Sequence, residues 1–203
     1  MHYTFDYPLF LWLNFDGGAV MDKIMVAVST PAVWAWLYIL ILYIVYRNYG
    51  WRGLLFFLIT IAIAVGLGDM ITGIFKHTGL LKNLWPSFPA RLRPMHTPEL
   101  EGLVSNILRQ GGQYGTVSGH AATMTDMAVL AIPAVRRRWF AWLMITVVVL
   151  ICYSRIYLGY HFPIDISLGV LTGLVSGAAM LLLFRWMVKR WVVNRTRVGG
   201  SPS

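Results

Sequence analysis

The segment Ser154-Arg155-x5-His161-x3-Asp165 brings a guanidinium, an imidazole and a carboxylate together in one short stretch. Pro163 suits the first turn of a helix, where its missing N–H is harmless. His161 therefore falls at or just before a helix start, with Asp165 four residues on, a spacing that lets the carboxylate reach the imidazole. A carboxylate on one ring nitrogen sets the tautomer and leaves the other nitrogen as a lone pair, the arrangement of an oriented base or nucleophile. Taken alone, such a pair more often merely holds two helices together.

Two further pieces carry chemistry of the same kind. Gly115-Thr116-Val117-Ser118-Gly119-His120 leads directly into an apolar run. A glycine-containing turn at a helix N-terminus presents free N–H groups and the positive end of the dipole, which suits an anion, and His120 would stand beside it. In isolation the tripeptide reads as an ordinary Ser N-cap. In Arg91-Leu92-Arg93-Pro94, arginine forks match the geometry of phosphate oxygens; two loop arginines alone are more often solvated or bound to head groups.

The elements that must position these groups are membrane helices. Of 203 residues, 58% are hydrophobic and only 12% charged, about half the charged share of a soluble domain. With 14% aromatic residues and a mean hydropathy of +0.64, the chain is also unlike a disordered one. Five stretches approach the ~20 apolar residues of a bilayer span: Val26–Tyr46, Gly53–Phe75, Ser118–Val135, Trp139–Leu158 and Ile164–Phe184. The fold expected is an all-α, polytopic membrane helical bundle of about five transmembrane helices forming one domain over residues 1–203. An N-terminal interfacial segment (1–25) precedes it, anchored by Tyr7 to Phe15, and a basic tail (189–203) follows. Residues 76–117 form a polar, Pro- and Gly-rich connection of a length that usually carries function.

Charge distribution orients the bundle. Arg47, Arg52, Arg136, Arg137, Arg138, Arg185, Lys189, Arg190, Arg195 and Arg197 fall in alternate connections with no acid among them, while every other segment together nets −1 of the total +9. Excess basic residues stay in the cytoplasm. The expected topology is N-terminus outside and C-terminus inside, with the 76–117 loop and the His161 turn on the outer face. Short basic clusters between apolar runs mark topology and argue against nucleic acid as a partner. The only cysteine, Cys152, excludes an internal disulfide and a multi-cysteine zinc site. Asp69 and Asp126 read as structural. Trp34, Trp36, Trp139, Trp142, Trp186 and Trp191 read as interfacial anchors.

The order and gaps of the three pieces, Arg-Pro, then Ser-Gly-His, then Ser-Arg-x5-His-x3-Asp, resemble the signature of the type 2 phosphatidic acid phosphatase superfamily over about Asp69 to Ser176. That superfamily includes bacterial lipid phosphatases and vanadium haloperoxidases. Two positions depart from the pattern. Val117 stands where the second motif opens with Pro, and no Lys stands seven residues before Arg93, where the first motif has one, leaving Lys76 or Lys82 as the motif lysine.

The resemblance implies a lipid phosphate phosphatase of the bacterial inner membrane with its site facing the periplasm. His161 would attack phosphorus, Asp165 would orient it, and His120 would protonate the leaving oxygen. Arg93, Arg155, the motif lysine, Ser118 and Gly119 would hold the phosphoryl oxygens, with Arg91 as an extra contact. It implies no metal and no cofactor, since the cations are protein side chains. Candidate substrates are undecaprenyl pyrophosphate, a phospholipid phosphate or lipid A, reached from the bilayer itself. Two other classes stand beside it. One is a metal-dependent hydrolase using His77, His96, His120 and His161; the other is a non-catalytic lipid-phosphate binder or transport protein.

Overall fold

The computed structural model describes residues 4–193; Arg195 and Arg197 of the expected basic tail lie outside the described residues. Its α-helices are α1 (Tyr7–Leu13), α2 (Gly18–Val28), α3 (Ala35–Ile74), α4 (Gly119–Val135), α5 (Arg138–Tyr157) and α6 (Pro163–Val188), with no strand among the described residues. Helices α3 to α6 pack around a core that includes Leu37, Ile41, Phe57, Met124, Met144 and Phe184. Their outer surfaces remain apolar, with Ile39, Leu55, Val149 and Leu182 exposed, as befits a bundle solvated by lipid rather than water.

Among the described residues, three helical stretches are long and apolar enough to cross a membrane: Pro31–Ile74, Arg138–Tyr157 and Pro163–Trp191. The first is not straight. Gly50 sits at φ 69, ψ −174, a conformation that only glycine adopts readily, and the chain doubles back there. Tyr38 and Gly68, on either side of the break, both approach the first half of α4, at Met124 and Asp126. Asn48 and Phe57 both lie towards the other end of the bundle, at Ala134 and Phe184. The stretch thus supplies two of the five expected apolar segments. α4 supplies another, but with 17 residues it spans only ~25 Å.

The first expected span, Val26–Tyr46, is broken. Val26 to Val28 belong to α2, Thr30 is extended, and a 3-10 turn at Pro31–Trp34 precedes α3. Pro31 is the cause, since proline lacks an N–H and disfavours helix in the residue before it. The break also turns Trp34 inward. It is buried, its indole N–H donating to the Val28 carbonyl at 2.8 Å, so it is a core residue and not the expected interfacial anchor. The other five tryptophans named above are exposed.

α4 and α6 meet along a glycine stripe, Gly169, Gly173 and Gly177. A Cβ at Gly169 would collide with the Ser118 carbonyl, one at Gly173 with the Ala122 carbonyl, and one at Gly177 would lie 3.0 Å from Val129 Cβ. In a bilayer, helices associate by close van der Waals packing rather than by escape from water, and small residues permit that approach. Asp126, buried on α4, accepts a 2.7 Å hydrogen bond from Ser176 Oγ across the same contact, the structural role expected of it. Gly173→Val is expected to cost on the order of 1–3 kcal/mol by overpacking. Unfolding in detergent checks this, and an unchanged midpoint would mean the helices are not closely apposed.

The N-terminal segment is docked rather than trailing. Phe10 of α1 is buried against Phe162 at 5.1 Å between ring centroids. Asn14 Nδ2 donates to the Ile156 and Tyr157 carbonyls, and its Oδ1 accepts from Ser105 N. One side chain thus ties the N-terminus to the end of α5 and to the long loop.

Candidate active site

The loop and the ends of four helices converge on a single cup. Leu92 pairs with Tyr114 in an isolated antiparallel bridge, flanked by Arg93 N–H to the Gln113 carbonyl (3.0 Å) and Gly115 N–H to the Arg91 carbonyl (2.9 Å). This pairing sets Arg93 beside Gly115, and Arg93 Nε donates to the Tyr114 carbonyl at 3.1 Å. Gly115 must be small: a Cβ there would lie 3.1 Å from Arg93 Cγ and 3.3 Å from Asp165 Oδ2.

Arg155 closes α5. Its carbonyl accepts from Tyr160 N–H (3.0 Å) and His161 N–H (3.2 Å), bending the chain into the turn that leads to α6, with Gly159 at φ 68. Its guanidinium donates to Ser29 Oγ and lies 3.9 Å over the Tyr160 ring. The helix break at Pro31 therefore has a use, because it leaves Ser29 at the end of α2 where it meets Arg155. Ser118 caps α4 through Oγ, accepting from Ala121 N–H at 3.4 Å, while its own N–H donates to the Asp165 carbonyl at 2.9 Å. The N–H groups of Gly119 and His120 have no acceptor within the helix, as in any first turn.

His161 is buried, and its Nδ1 lies 3.0 Å from the Gly115 carbonyl. A carbonyl only accepts, so the proton resides on Nδ1 and Nε2 keeps the lone pair. Here the geometry differs from what the spacing suggests. Asp165 Oδ2 is 3.7 Å from Nδ1, beyond hydrogen-bond reach, and accepts instead from Phe162 N–H at 3.0 Å. The imidazole is oriented by a backbone carbonyl, and the carboxylate supplies negative charge behind it. Burial holds His161 well below the ordinary histidine range, helped by the Lys76, Arg93 and Arg155 cations, so the ring is neutral near pH 7.

The resulting cavity of about 420 Å³ is lined by His161, His120, Lys76, Arg93, Arg155 and Gly119, together with Asp69, Pro31, Tyr38, Thr123 and Met124. Of the residues expected at the site, Ser118 and Asp165 stand immediately behind it. Lys76, not Lys82, belongs to it: a Cβ on Gly119 would lie 3.7 Å from Lys76 Nζ, whereas Lys82 is exposed and lines none of this cavity. Arg91 does not line it either. It is buried in an ion pair with Asp6 at 2.5 and 3.0 Å, stacked 3.6 Å over Phe162 and 3.7 Å from Asp165 Oδ1. The physical reason is Asp6, an acid 85 residues away that claims the guanidinium. His77 and His96 turn to the Phe88 and Gly111 carbonyls rather than to the cavity. Asp69 and Tyr38 reach the cavity without belonging to any motif.

Residues 70–191 match the PAP2 superfamily. The chain belongs to that superfamily. Two curated relatives are lipid A 4'-phosphatases. That of Porphyromonas gingivalis is 28% identical over 91% of this chain and 75% of its own length. That of Bacteroides thetaiotaomicron is 30% identical over 85% of this chain and 73% of its own. The crystal structure of Aquifex aeolicus LpxE superposes with a TM-score of 0.65 at 19% identity, covering 89% of this chain and 96% of that one, which establishes the shared fold. This PAP2 protein is a phosphatase acting on lipid phosphates.

One pH dependence follows from the PAP2 cup. Burial, with the Arg93 cation beside it, lowers the Lys76 ammonium to about 8. The charged form, the one able to attract a phosphoryl oxygen, is present below that value and lost as pH rises through it. The free-enzyme profile of kcat/KM is therefore expected to fall above about pH 8. Lys76→Arg, with a guanidinium that stays charged, should remove that alkaline limb. A limb unmoved by the substitution would assign it to another group.

Proposed function

We propose that this protein removes a terminal phosphate from a lipid A-type glycolipid at the outer face of the bacterial inner membrane, without a metal, through a phosphohistidine. The observation that carries this reading is the neutral His161, its Nδ1–H engaged by Gly115 and its Nε2 without a hydrogen-bond partner among the described residues, in a cavity shared with Lys76, Arg93 and Arg155. The glycolipid class is supported by the two lipid A 4'-phosphatases that align over most of the chain. The apolar wall of Pro31, Tyr38 and Met124 suits an amphiphile whose tails stay in the bilayer. The outward orientation is supported by Arg47, Arg52, Arg136 to Arg138 and Arg185, which gather at the end of the bundle away from His161.

In the first step Nε2 of His161 attacks phosphorus in line, the N–P bond forms, and the P–O bond to the lipid breaks. His120 donates a proton to the departing oxygen. The three cations and the first-turn N–H groups of α4 hold the equatorial oxygens, the positioning and charge stabilisation that dominate phosphoryl transfer. Arg155 Nε is buried with no acceptor among the described residues, so it has a donor left to give. In the second step His120 takes a proton from water, the hydroxide oxygen bonds to phosphorus, the N–P bond breaks, and His161 is restored. The Asp165 carboxylate stabilises the positive charge that the imidazole carries between the steps.

The test is phosphate release from lipid A, undecaprenyl pyrophosphate, phosphatidic acid and phosphatidylglycerol phosphate in micelles containing EDTA. The expected result is a clear preference for lipid A, undiminished by chelation and abolished by vanadate. Equal turnover of all four overturns the substrate class, and loss of activity in EDTA overturns the mechanism.

A further inference from the structure

At the end of the bundle opposite His161, a second cavity of about 420 Å³ opens between α4, α6 and the Gly50 turn. Its interior is apolar and aromatic: Leu181, Val188, and Tyr49 set edge-on to Phe184 at 5.5 Å. Its rim carries Arg136, Arg185 and Lys189, and no acid among the described residues lines it. None of the three cations has an acidic partner within ion-pair distance among the described residues.

Topology alone does not account for this arrangement. Basic residues often serve a helix C-terminus by answering its unpaired carbonyls, but three of the last four carbonyls of α4 already have donors. Asn48 Nδ2 donates to the Ala134 and Val135 carbonyls at 2.9 and 3.4 Å, and Arg136 N–H donates to the Ile132 carbonyl. Arg136 also adopts φ 59, a left-handed conformation unfavourable for any residue but glycine. Its guanidinium lies 5.2 Å over the Tyr49 ring, which holds the charge at the rim. Cations from two helices thus crowd one concave mouth above an apolar floor, at head-group level of the opposite face.

We propose that this cavity binds an anionic phospholipid of the leaflet opposite the catalytic cup. The lipid phosphate sits among Arg136, Arg185 and Lys189, and the chain lies against Leu181 and Phe184. Basic pockets between membrane helices select anionic head groups in this way. The site depends on the bundle crossing the bilayer and not on the phosphatase chemistry, so either can fail without the other.

Detergent-purified full-length protein is titrated with phosphatidylglycerol and, separately, phosphatidylcholine, and retained lipid is read by native mass spectrometry. Phosphatidylglycerol is expected to bind at least about tenfold tighter, and the Arg136→Gln, Arg185→Gln, Lys189→Gln triple variant to lose that preference while keeping its phosphatase activity in micelles. Equal retention of the two lipids, or a preference that survives the triple variant, overturns the proposal. Inorganic phosphate that displaces the lipid at equal concentration also overturns it, as a site for the free anion. If the triple variant fails to fold, a photoactivatable phosphatidylglycerol on the wild-type protein decides. Label concentrated on peptides 133–136 and 181–189 supports the site, and label spread evenly along the outward helix faces overturns it.

Discussion

Replacement of His161 by alanine is expected to lower lipid phosphate release by on the order of 10⁴-fold or more, the scale of removing a nucleophile from a preorganised site. The loss should fall on kcat, because the cations proposed to hold the phosphoryl oxygens remain and substrate binding should be largely preserved. Removing a buried ring that bonds the Gly115 carbonyl also leaves that acceptor unpaired, at ~1–3 kcal/mol of stability. His161→Gln, which keeps polarity near Gly115, therefore serves as the second variant: it should fold and remain inactive. Wild-type turnover in either variant would remove His161 from the reaction.

His120 has a different signature, because in the proposed reaction it acts in both half-reactions. His120→Ala is expected to slow turnover of the natural lipid by about 10²–10⁴-fold, the range of a lost general acid and base. An aryl phosphate needs no proton on its leaving oxygen, so its first turnover should remain near the wild-type rate. Hydrolysis of the intermediate should then stall, and acid-labile phosphate should accumulate on the protein. Equal slowing of both substrates with no trapped phosphate would place His120 among the groups that merely bind.

Helix starts were legible because their signals are local. Ser118 at the cap of α4 and Pro163 at the first turn of α6 act within a few residues, and both boundaries fall where the residue types require. The grouping of His161, His120, Arg93 and Arg155 was legible through the resemblance of their order and gaps to a known signature, and the cavity contains all four. What escaped has no local signal. The Gly115 carbonyl is a backbone atom and leaves no mark in side-chain chemistry. Ser29 lay inside a run read as a span, and its partner Arg155 is 126 residues distant.

Arg91 illustrates the same limit from the other side. Its type and its neighbour Arg93 suggest a phosphate contact, but a carboxylate near the N-terminus captures it and makes it a brace behind Asp165. The choice between Lys76 and Lys82 likewise required distances. Lys76 follows α3 directly and is delivered to the cup by that helix, whereas Lys82 follows a turn that carries it outward. Asp69 escaped because a lone acid on an apolar helix resembles an interhelical hydrogen-bonding residue, and only the fold shows it sharing a wall with Lys76.

The most direct measurement is the structure of the protein with vanadate, which adopts the five-coordinate geometry of phosphorus in transfer. The phosphohistidine mechanism requires vanadium with His161 Nε2 at one apex, His120 beside the opposite apical oxygen, and the equatorial oxygens on Lys76, Arg93 and Arg155. Vanadate bound without a bond to His161, or settled in another cavity, would contradict it.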